Sequence, residues 1–131
     1  MSTKITTFLM FNGQALEAMN FYTSLFDNSE IKYKRLYQAG EAGKEGTVMS
    51  ALFSLNGQDY MCVDSVAQHD FNFTPAISLF VHCASETEID KLYNALSKDG
   101  KILMEMGNYG FSKKFGWLED KYNVSWQLNL T

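Results

Sequence analysis

The stretch TTFLMFNGQALEAMNFYTSLF, residues 6–26, is matched in pattern by ISLFVHCASETEIDKLYNALS, residues 77–97, when the chain is slid by 71 positions, from 6 to 77. Each copy consists of a short apolar strand, a turn of small residues, and a helix with tyrosine at the matching place, Tyr22 and Tyr93. The two copies share few identical residues, so the similarity is one of pattern. Such a match at a fixed offset predicts an internal repeat of one folding unit.

The second predicted helix has clear boundary signals. Ser85 followed by Glu88 forms a capping box, in which both side chains accept hydrogen bonds from backbone N–H groups at the start of a helix. Apolar residues then recur at helical spacing over residues 89–96. Gly100 follows the last of them and is predicted to end the helix.

Strand-like segments follow each predicted helix. In the first copy they are EIKYKRLYQ, TVMSALFSL and QDYMCVDS, and in the second they are KILMEMGN, the FGWLED region and VSWQLNL. A strand, a helix and three strands, written twice, predict an α+β fold in which helices cover one face of antiparallel-rich sheets. We expect a single domain over residues 1–131, with modules at about 1–65 and 75–131 joined by a linker at 66–74.

Composition and charge argue against several classes of function. With 131 residues, 46% hydrophobic and 15% aromatic, the chain can bury a core without disulfide staples. The formal net charge of −4, with no basic cluster, argues against nucleic-acid binding. The sequence predicts no signal peptide and no membrane span, so we expect a cytoplasmic protein in which Cys62 and Cys83 are reduced core thiols.

The last predicted strand lies within FGWLEDKYNVSWQLNL, residues 115–130, and alternates between two faces. Apolar side chains lie on one face, and Ser125, Gln127 and Asn129 lie on the other. Because this polar face carries no charge, a lined pocket competes with open solvent as its surroundings.

The segments of this chain resemble the vicinal oxygen chelate superfamily, which includes glyoxalase I, bleomycin-resistance proteins and extradiol dioxygenases. The resemblance is carried by ALEAMNFYTSLFDNSEI, GTVMSALFSLNGQDYMCVDS, FTPAISLFVHC and FGWLEDKYNVSWQLNL, which extend over nearly the whole chain. They are especially similar to the PhnB-like branch, often labelled demethylubiquinone methyltransferase-like. The resemblance implies two βαβββ modules that form a cupped mixed sheet with a central cleft, commonly in a homodimer.

The resemblance also implies where metal-dependent relatives place their ligands, on the first and the last strand of each module. In such relatives the first-strand ligand stands about fifteen positions before the helix tyrosine, so counting back from Tyr22 and Tyr93 gives Thr7 and Ser78. The positions implied on the last strands are Met61 and Gln127. A divalent cation prefers imidazole nitrogen or carboxylate oxygen, whereas these side chains are neutral. We therefore expect the four residues to line a pocket without a metal. The glycine-rich loop of S-adenosylmethionine enzymes is also missing from the sequence, so we expect no cofactor.

Strand alternation adds further pocket candidates. Leu9 shares a strand face with Thr7, and Phe80 shares one with Ser78. Phe80 and Trp117 are aromatic residues that can stack on a planar ligand. We expect Leu9, Phe80 and Trp117 to line the pocket. The alternative is that these side chains fill the cleft themselves, and the sequence leaves both possibilities open.

His82 is the candidate general base, although a histidine at a cavity edge or within a core is the commoner situation. It cannot act with Cys83 as a base and nucleophile pair, because adjacent strand residues point to opposite faces. The loop NYGFS, residues 108–112, could cover the cavity, but a solvated turn is the preferred interpretation.

Three functions therefore remain open from the sequence. The first is a metal-free homodimer that binds an unidentified small molecule. The second is a glyoxalase-like lyase or isomerase, or another enzyme that uses acid–base groups such as His82. The third is a structural or interaction role with the cleft packed shut. No catalytic residue is assigned at this stage.

Overall fold

The computed structural model describes residues 2–131, and its elements repeat one order twice. The first five elements are β1 (Thr7–Phe11), α1 (Ala15–Leu25), β2 (Glu30–Leu36), β3 (Val48–Leu55) and β4 (Gln58–Asp64). The second five are β5 (Leu79–His82), α2 (Glu86–Ser97), β6 (Lys101–Gly107), β7 (Lys114–Glu119) and β8 (Ser125–Leu130). The chain forms two compact units, unit 1 up to His69 and unit 2 from Asp70 to Thr131. This order confirms the predicted βαβββ repeat and the α+β class.

In unit 1 the strand order is β1-β4-β3-β2, with β1 parallel to β4 and the other neighbours antiparallel. Helix α1 packs on one face of this sheet through a stripe of fully buried side chains, Ala15, Ala18, Met19 and Tyr22. The Tyr22 ring stacks on the ring of Phe53 in β3, with centroids 6.4 Å apart. The core of unit 1 therefore lies between α1 and one sheet face.

The start of α1 is held by a side chain from β4. Gln14, at the N-cap position, makes no capping hydrogen bond. Instead Asp64 Oδ1 accepts hydrogen bonds from the backbone N–H groups of Gly13 and Ala15, at 2.8 and 3.0 Å. Asp64 Oδ2 accepts another from the N–H of Val48, at 2.9 Å. The buried carboxylate thus satisfies donors that the end of a helix leaves unpaired.

In unit 2 the strand order is β5-β8-β7-β6, with β5 parallel to β8. The predicted capping box is confirmed at the start of α2. Ser85 Oγ accepts from the N–H of Glu88 at 3.1 Å, and Glu88 Oε1 accepts from the N–H of Ala84 at 2.7 Å. The buried stripe of α2 is Ile89, Leu92 and Leu96. Unit 2 therefore repeats the arrangement of unit 1, one helix on one sheet face.

The structure gives a physical cause for the end of α2 that differs from the cause predicted from the sequence. The helix ends at Ser97, and the residue with a left-handed backbone is Asp99, with φ of 60°. The next residue, Gly100, must be glycine for another reason, because a Cβ there would collide with the carbonyl oxygen of Glu119. Glycine is needed at this position for the close approach of two backbone segments rather than for a helix cap.

Both helices are short. They contain 11 and 12 residues, whereas a helix that crosses a bilayer needs about 20 apolar residues. Within residues 2–131, no helix combines the length and the apolar character that a membrane span requires.

Candidate functional site

The unit-2 sheet has one face that α2 does not cover, and the predicted site residues of this unit lie there. Phe80 of β5 and Trp117 of β7 are both ladder partners of Gln127 in β8, and ladder partners point to the same face. Trp126 and Leu128, the chain neighbours of Gln127, point the other way and are buried. The neutral polar face of the last strand is therefore the face opposite α2.

A hydrogen-bonded group on this face, which we name the polar cluster, consists of Ser78, Trp117, Ser125 and Gln127. The Trp117 Nε1–H donates to Ser125 Oγ at 2.8 Å. The hydroxyl oxygens of Ser78 and Ser125 lie 2.7 Å apart, and Gln127 Nε2–H donates to Ser78 Oγ at 3.2 Å. The structure thus brings together Ser78, Trp117 and Gln127 and adds Ser125 as the link between them. Their role in binding stays a prediction.

Five rings form a second group on this face, which we name the aromatic cluster: Phe80, His82, Tyr109, Phe111 and Phe115. The buried Phe115 ring lies at its centre, with centroids 5.1 Å from Phe111 and 6.1 Å from Tyr109. Phe80 lies 6.5 Å from Phe115 and 4.9 Å from His82. Since Phe80, Tyr109 and Phe111 are exposed, the cluster offers a partly open aromatic surface beside the polar cluster.

The loop between β6 and β7 supplies two of these rings. Gly110 has a left-handed φ of 95°, which lets the chain turn sharply between Tyr109 and Phe111. The two rings stack with centroids 6.2 Å apart, and the Tyr109 hydroxyl donates to the carbonyl oxygen of Glu105 at 2.6 Å. The loop is therefore exposed, as expected for the solvated turn preferred from the sequence, and its two rings also pack against Phe115.

The polar cluster carries no formal charge. The ladder partner of Ser125 on β7 is Glu119, and the partner of Glu119 on β6 is Lys101. Glu119 and Lys101 carry opposite charges and lie beside Ser125 in the same row of ladder partners, toward β6. Among residues 2–131, neither forms a hydrogen bond with the polar cluster. The hydrogen-bonding groups of the cluster are therefore all neutral, namely two hydroxyls, an indole N–H and a carboxamide.

His82 is exposed at the edge of the aromatic cluster. Its ring packs against Phe80, and its nitrogens make no hydrogen bond within the described part of the chain. A catalytic base is normally oriented by a third group, and His82 has none in this arrangement. The role of His82 as a general base stays a prediction.

The two cysteines are free and buried, which confirms that they are core thiols. Burial raises the pKa of the Cys62 thiol to about 12 and the pKa of the Cys83 thiol to about 11. A thiolate forms only near and above its pKa, so at about pH 8 roughly one Cys62 in ten thousand is ionised.

We therefore expect Ellman's reagent at about pH 8 to modify neither thiol at an appreciable rate in the folded protein. Both Cys62 and Cys83 should react rapidly once the chain is unfolded in guanidinium chloride, which is the control for reagent quality. Rapid modification of either thiol in the folded protein would contradict its burial and its raised pKa.

In unit 1 the predicted site residues are divided between two faces, which corrects the expectation from the sequence. Leu9 pairs with Cys62, and both are buried on the face covered by α1. Thr7 lies two residues earlier on the same face as Leu9. Met61 pairs with Phe8, and both are exposed on the uncovered face. Thr7 and Leu9 therefore do not share a face with Met61.

The physical reason is a register difference of one residue. An offset of 71 residues aligns the helix of the first unit with the helix of the second. The ladder pairs Phe8–Met61 and Phe80–Gln127 occupy equivalent places in the two units, so the first strands are instead offset by 72 residues, from 8 to 80. A slip of one residue moves a strand side chain to the opposite face. Because side chains alternate along a strand, Thr6, rather than Thr7, lies on the side of the uncovered face. The apolar side chains there include Phe8, Met10, Met61 and Val63.

The comparison with family models matches residues 3–129 to the family described as 3-demethylubiquinone-9 3-methyltransferase. The chain belongs to this family. Among solved structures, the chain is similar to a PhnB protein from Bacillus cereus, described as a candidate 3-demethylubiquinone-9 3-methyltransferase. The two are 62% identical with a TM-score of 0.96, and the match covers 98% of this chain and 100% of the other.

More distant structures support the fold alone. The Pseudomonas aeruginosa protein PA1353 has 23% identity and a TM-score of 0.86, and the match covers 98% of each chain. A glyoxylase/bleomycin resistance protein/dioxygenase domain from Frankia has 16% identity and a TM-score of 0.65, over 99% of this chain and 92% of the other. Among curated proteins, none matches this chain. The predicted resemblance to PhnB-like proteins is confirmed, and the fold is that of the glyoxylase/bleomycin resistance protein/dioxygenase domain.

The side chains at the positions that the sequence resemblance implied for a metal do not fit a transition metal. Ser78 and Gln127 are engaged in mutual hydrogen bonding, and neither supplies the anionic oxygen or imidazole nitrogen that such ions prefer. Met61 supplies only a thioether. Over residues 2–131, the structure contains no group of three or more His, Cys, Asp or Glu side chains that could hold a metal ion.

Proposed function

We propose that the protein is a small-molecule-binding protein whose ligand lies on the uncovered face of the unit-2 sheet. The observation that carries this proposal is the position of the polar cluster directly beside the aromatic cluster. Ligand sites are typically lined by aromatic and apolar side chains around a few placed hydrogen-bonding groups, and this face has that composition. The ligand we propose is neutral, small and aromatic, and the protein binds it as a cytoplasmic homodimer.

The exposure of the aromatic cluster supports a binding role. Single exposed apolar residues are ordinary on protein surfaces, but a contiguous aromatic patch beside polar groups commonly marks an interaction site. Phe80 is 47% exposed although it lies in the same row as the half-buried Gln127. A planar ligand resting on Phe80 would reach the polar cluster through its edge.

The proposal includes neither a metal nor S-adenosylmethionine. The neutral side chains of Ser78 and Gln127 support the absence of a metal, because nothing in the pair offsets the desolvation of a divalent cation. Among the strands described over residues 2–131, each sheet has one parallel pair, whereas nucleotide-type cofactors are commonly held at the glycine-rich turn of a parallel doubly wound sheet. Binding is also favoured over acid–base catalysis because His82 lacks an orienting partner within residues 2–131.

The homodimer part of the proposal rests on unit 1. The uncovered face of its sheet exposes Phe8, Tyr33 and Met61. Exposed apolar patches of this kind often lie in protein–protein interfaces. Native mass spectrometry should report a dimer that carries no transition metal. A monomer would contradict the dimer, and a metal adduct at equal stoichiometry would contradict the metal-free site.

The binding face is tested with N-phenyl-1-naphthylamine, a neutral aromatic probe whose fluorescence rises in apolar surroundings. We expect the wild-type protein to bind it with a Kd in the micromolar range, and Phe80→Ala to raise that Kd about tenfold through the loss of stacking area. Fluorescence titration measures both values.

The matched control for this titration is Ile102→Ala on β6. Ile102 is 43% exposed, close to the 47% of Phe80, so both variants remove an exposed apolar side chain from unit 2. The control should bind the probe as the wild type does. Equal Kd values for all three proteins, or no binding by the wild type, would contradict a ligand site at the aromatic cluster.

A further inference from the structure

We infer that the polar cluster recognises a lactam, that is, a ring carbonyl with an N–H beside it, on a planar aromatic ligand. The inference rests on the proposed binding function and specifies the ligand class for the same face. It follows from which hydrogen atoms and lone pairs the cluster leaves unused.

The two serine hydroxyls leave one hydrogen atom free. Ser125 Oγ accepts from Trp117 Nε1–H, and Ser78 Oγ accepts from Gln127 Nε2–H. Two hydroxyl groups contribute two hydrogen atoms, and the single 2.7 Å contact between Ser78 and Ser125 uses one of them. One O–H donor therefore remains for a partner outside the cluster.

That donor belongs to Ser78. Ser125 is only 2% exposed, and a buried hydroxyl hydrogen without an acceptor is unfavourable. Ser125 therefore donates to Ser78, which is half-buried and can direct its own hydrogen outward. The Ser78 hydroxyl thus becomes a donor with both of its oxygen lone pairs occupied, so it offers a hydrogen bond but accepts none.

The carboxamide of Gln127 leaves an acceptor and a donor free. One Nε2–H is used by Ser78, whereas the second Nε2–H and Oε1 make no hydrogen bond within residues 2–131. Gln127 is half-buried, so these atoms reach the open face. The cluster therefore presents unused donors, from Ser78 and Gln127, next to one unused acceptor, Gln127 Oε1.

The ligand edge that complements this arrangement is an acceptor beside a donor without net charge. A lactam carbonyl can accept from Ser78 and Gln127, while its N–H donates to Gln127 Oε1. A carboxylate would place one of its oxygens against Oε1, and an ammonium group would place N–H groups against the free donors. Because Phe80 lies beside Gln127 in the same row, the ring that bears the lactam rests on the aromatic cluster.

The test is a titration of the full chain with three probes of similar size, followed by the side-chain NMR signals of Trp117 and Gln127. The probes are 2-quinolone, 1-methyl-2-quinolone, in which the lactam N–H is blocked, and 2-naphthoate, which carries a carboxylate. We expect 2-quinolone to bind about tenfold more tightly than its methyl derivative, and 2-naphthoate to bind most weakly.

Variants assign this preference to the cluster. Gln127→Met keeps the length of the side chain but removes the oxygen that accepts from the lactam N–H, so the preference for 2-quinolone over the methyl derivative should disappear. Ser78→Ala should weaken both quinolones by a similar factor, because it removes a donor to the carbonyl. Gln58→Met, an exposed change in unit 1, should leave all three affinities unchanged.

The outcomes separate this inference from the proposed function. Equal affinities for the two quinolones, with both displacing N-phenyl-1-naphthylamine, would overturn lactam recognition and leave aromatic binding intact. Tightest binding of 2-naphthoate would also overturn it. Failure of every probe, including N-phenyl-1-naphthylamine, to bind would overturn the proposed function itself.

Discussion

Replacing Asp120 by alanine is expected to lower the free energy of unfolding by about 3–5 kcal/mol, because buried N–H groups lose their acceptor. Asp120 is 1% exposed and precedes β8. Its Oδ1 accepts from the backbone N–H groups of Tyr122 and Val124, at 2.8 and 3.1 Å. Its Oδ2 accepts from Trp126 Nε1–H at 2.9 Å. Denaturant unfolding followed by tryptophan fluorescence measures the loss.

Two further variants sharpen this experiment. Asp120→Asn keeps an oxygen for Tyr122 and Val124 but turns an NH₂ group toward the indole N–H of Trp126. We therefore expect its loss of unfolding free energy to be about half of the loss for Asp120→Ala. Asp27→Ala, an exposed change, is the control and should alter stability by less than about 0.5 kcal/mol. A loss below about 1 kcal/mol for Asp120→Ala would mean that these donors find other acceptors, and would contradict the anchoring role of the carboxylate.

The parts of the fold that depend on local signals could be predicted from the sequence. The capping box of Ser85 and Glu88 is a contact between residues three apart, so its residue types alone indicate the start of a helix. The alternation of Ser125 and Gln127 with apolar residues fixes the two faces of β8 in the same way.

Strand register could not be predicted, because it depends on pairing between distant segments. The position of Thr7 was inferred from the helix, and a difference of one residue between strand and helix offsets moved it to the covered face. Gly100 shows the same limit, since the atom that requires glycine there is the carbonyl oxygen of Glu119. Neither the strand pairing of Thr7 nor the contact of Gly100 with Glu119 can be identified from the neighbouring residues in the sequence.

The aromatic cluster was the least predictable part of the candidate site. Tyr109 and Phe111 belong to a loop, and loop residues follow no periodicity that would indicate where their side chains lie. The left-handed backbone of Gly110 and the packing against Phe115 determine their position. Even so, the pattern of residues on β5 and β8 placed Phe80, Ser78 and Gln127 on one face correctly.

The double variant Ser78→His/Gln127→Glu is expected to bind Zn²⁺ at least about 100-fold more tightly than the wild type, a gain of about 2.7 kcal/mol. In the wild-type structure Ser78 Oγ and Gln127 Nε2 are 3.2 Å apart, so side chains at these two positions converge on the same small volume. An imidazole nitrogen and a carboxylate oxygen there would supply the donor types that zinc prefers, in place of a hydroxyl and a carboxamide. Isothermal titration calorimetry with zinc measures both affinities.

The single variants Ser78→His and Gln127→Glu are the controls, because each supplies only one zinc donor. If the double variant binds no more tightly than the better single variant, the two side chains do not converge and the geometry of the polar cluster is wrong. If the wild type itself binds zinc in the micromolar range, the neutral donors suffice and the metal-free proposal fails. A gain confined to the double variant would mean that the chemistry of positions 78 and 127, rather than their geometry, keeps a metal out of this face.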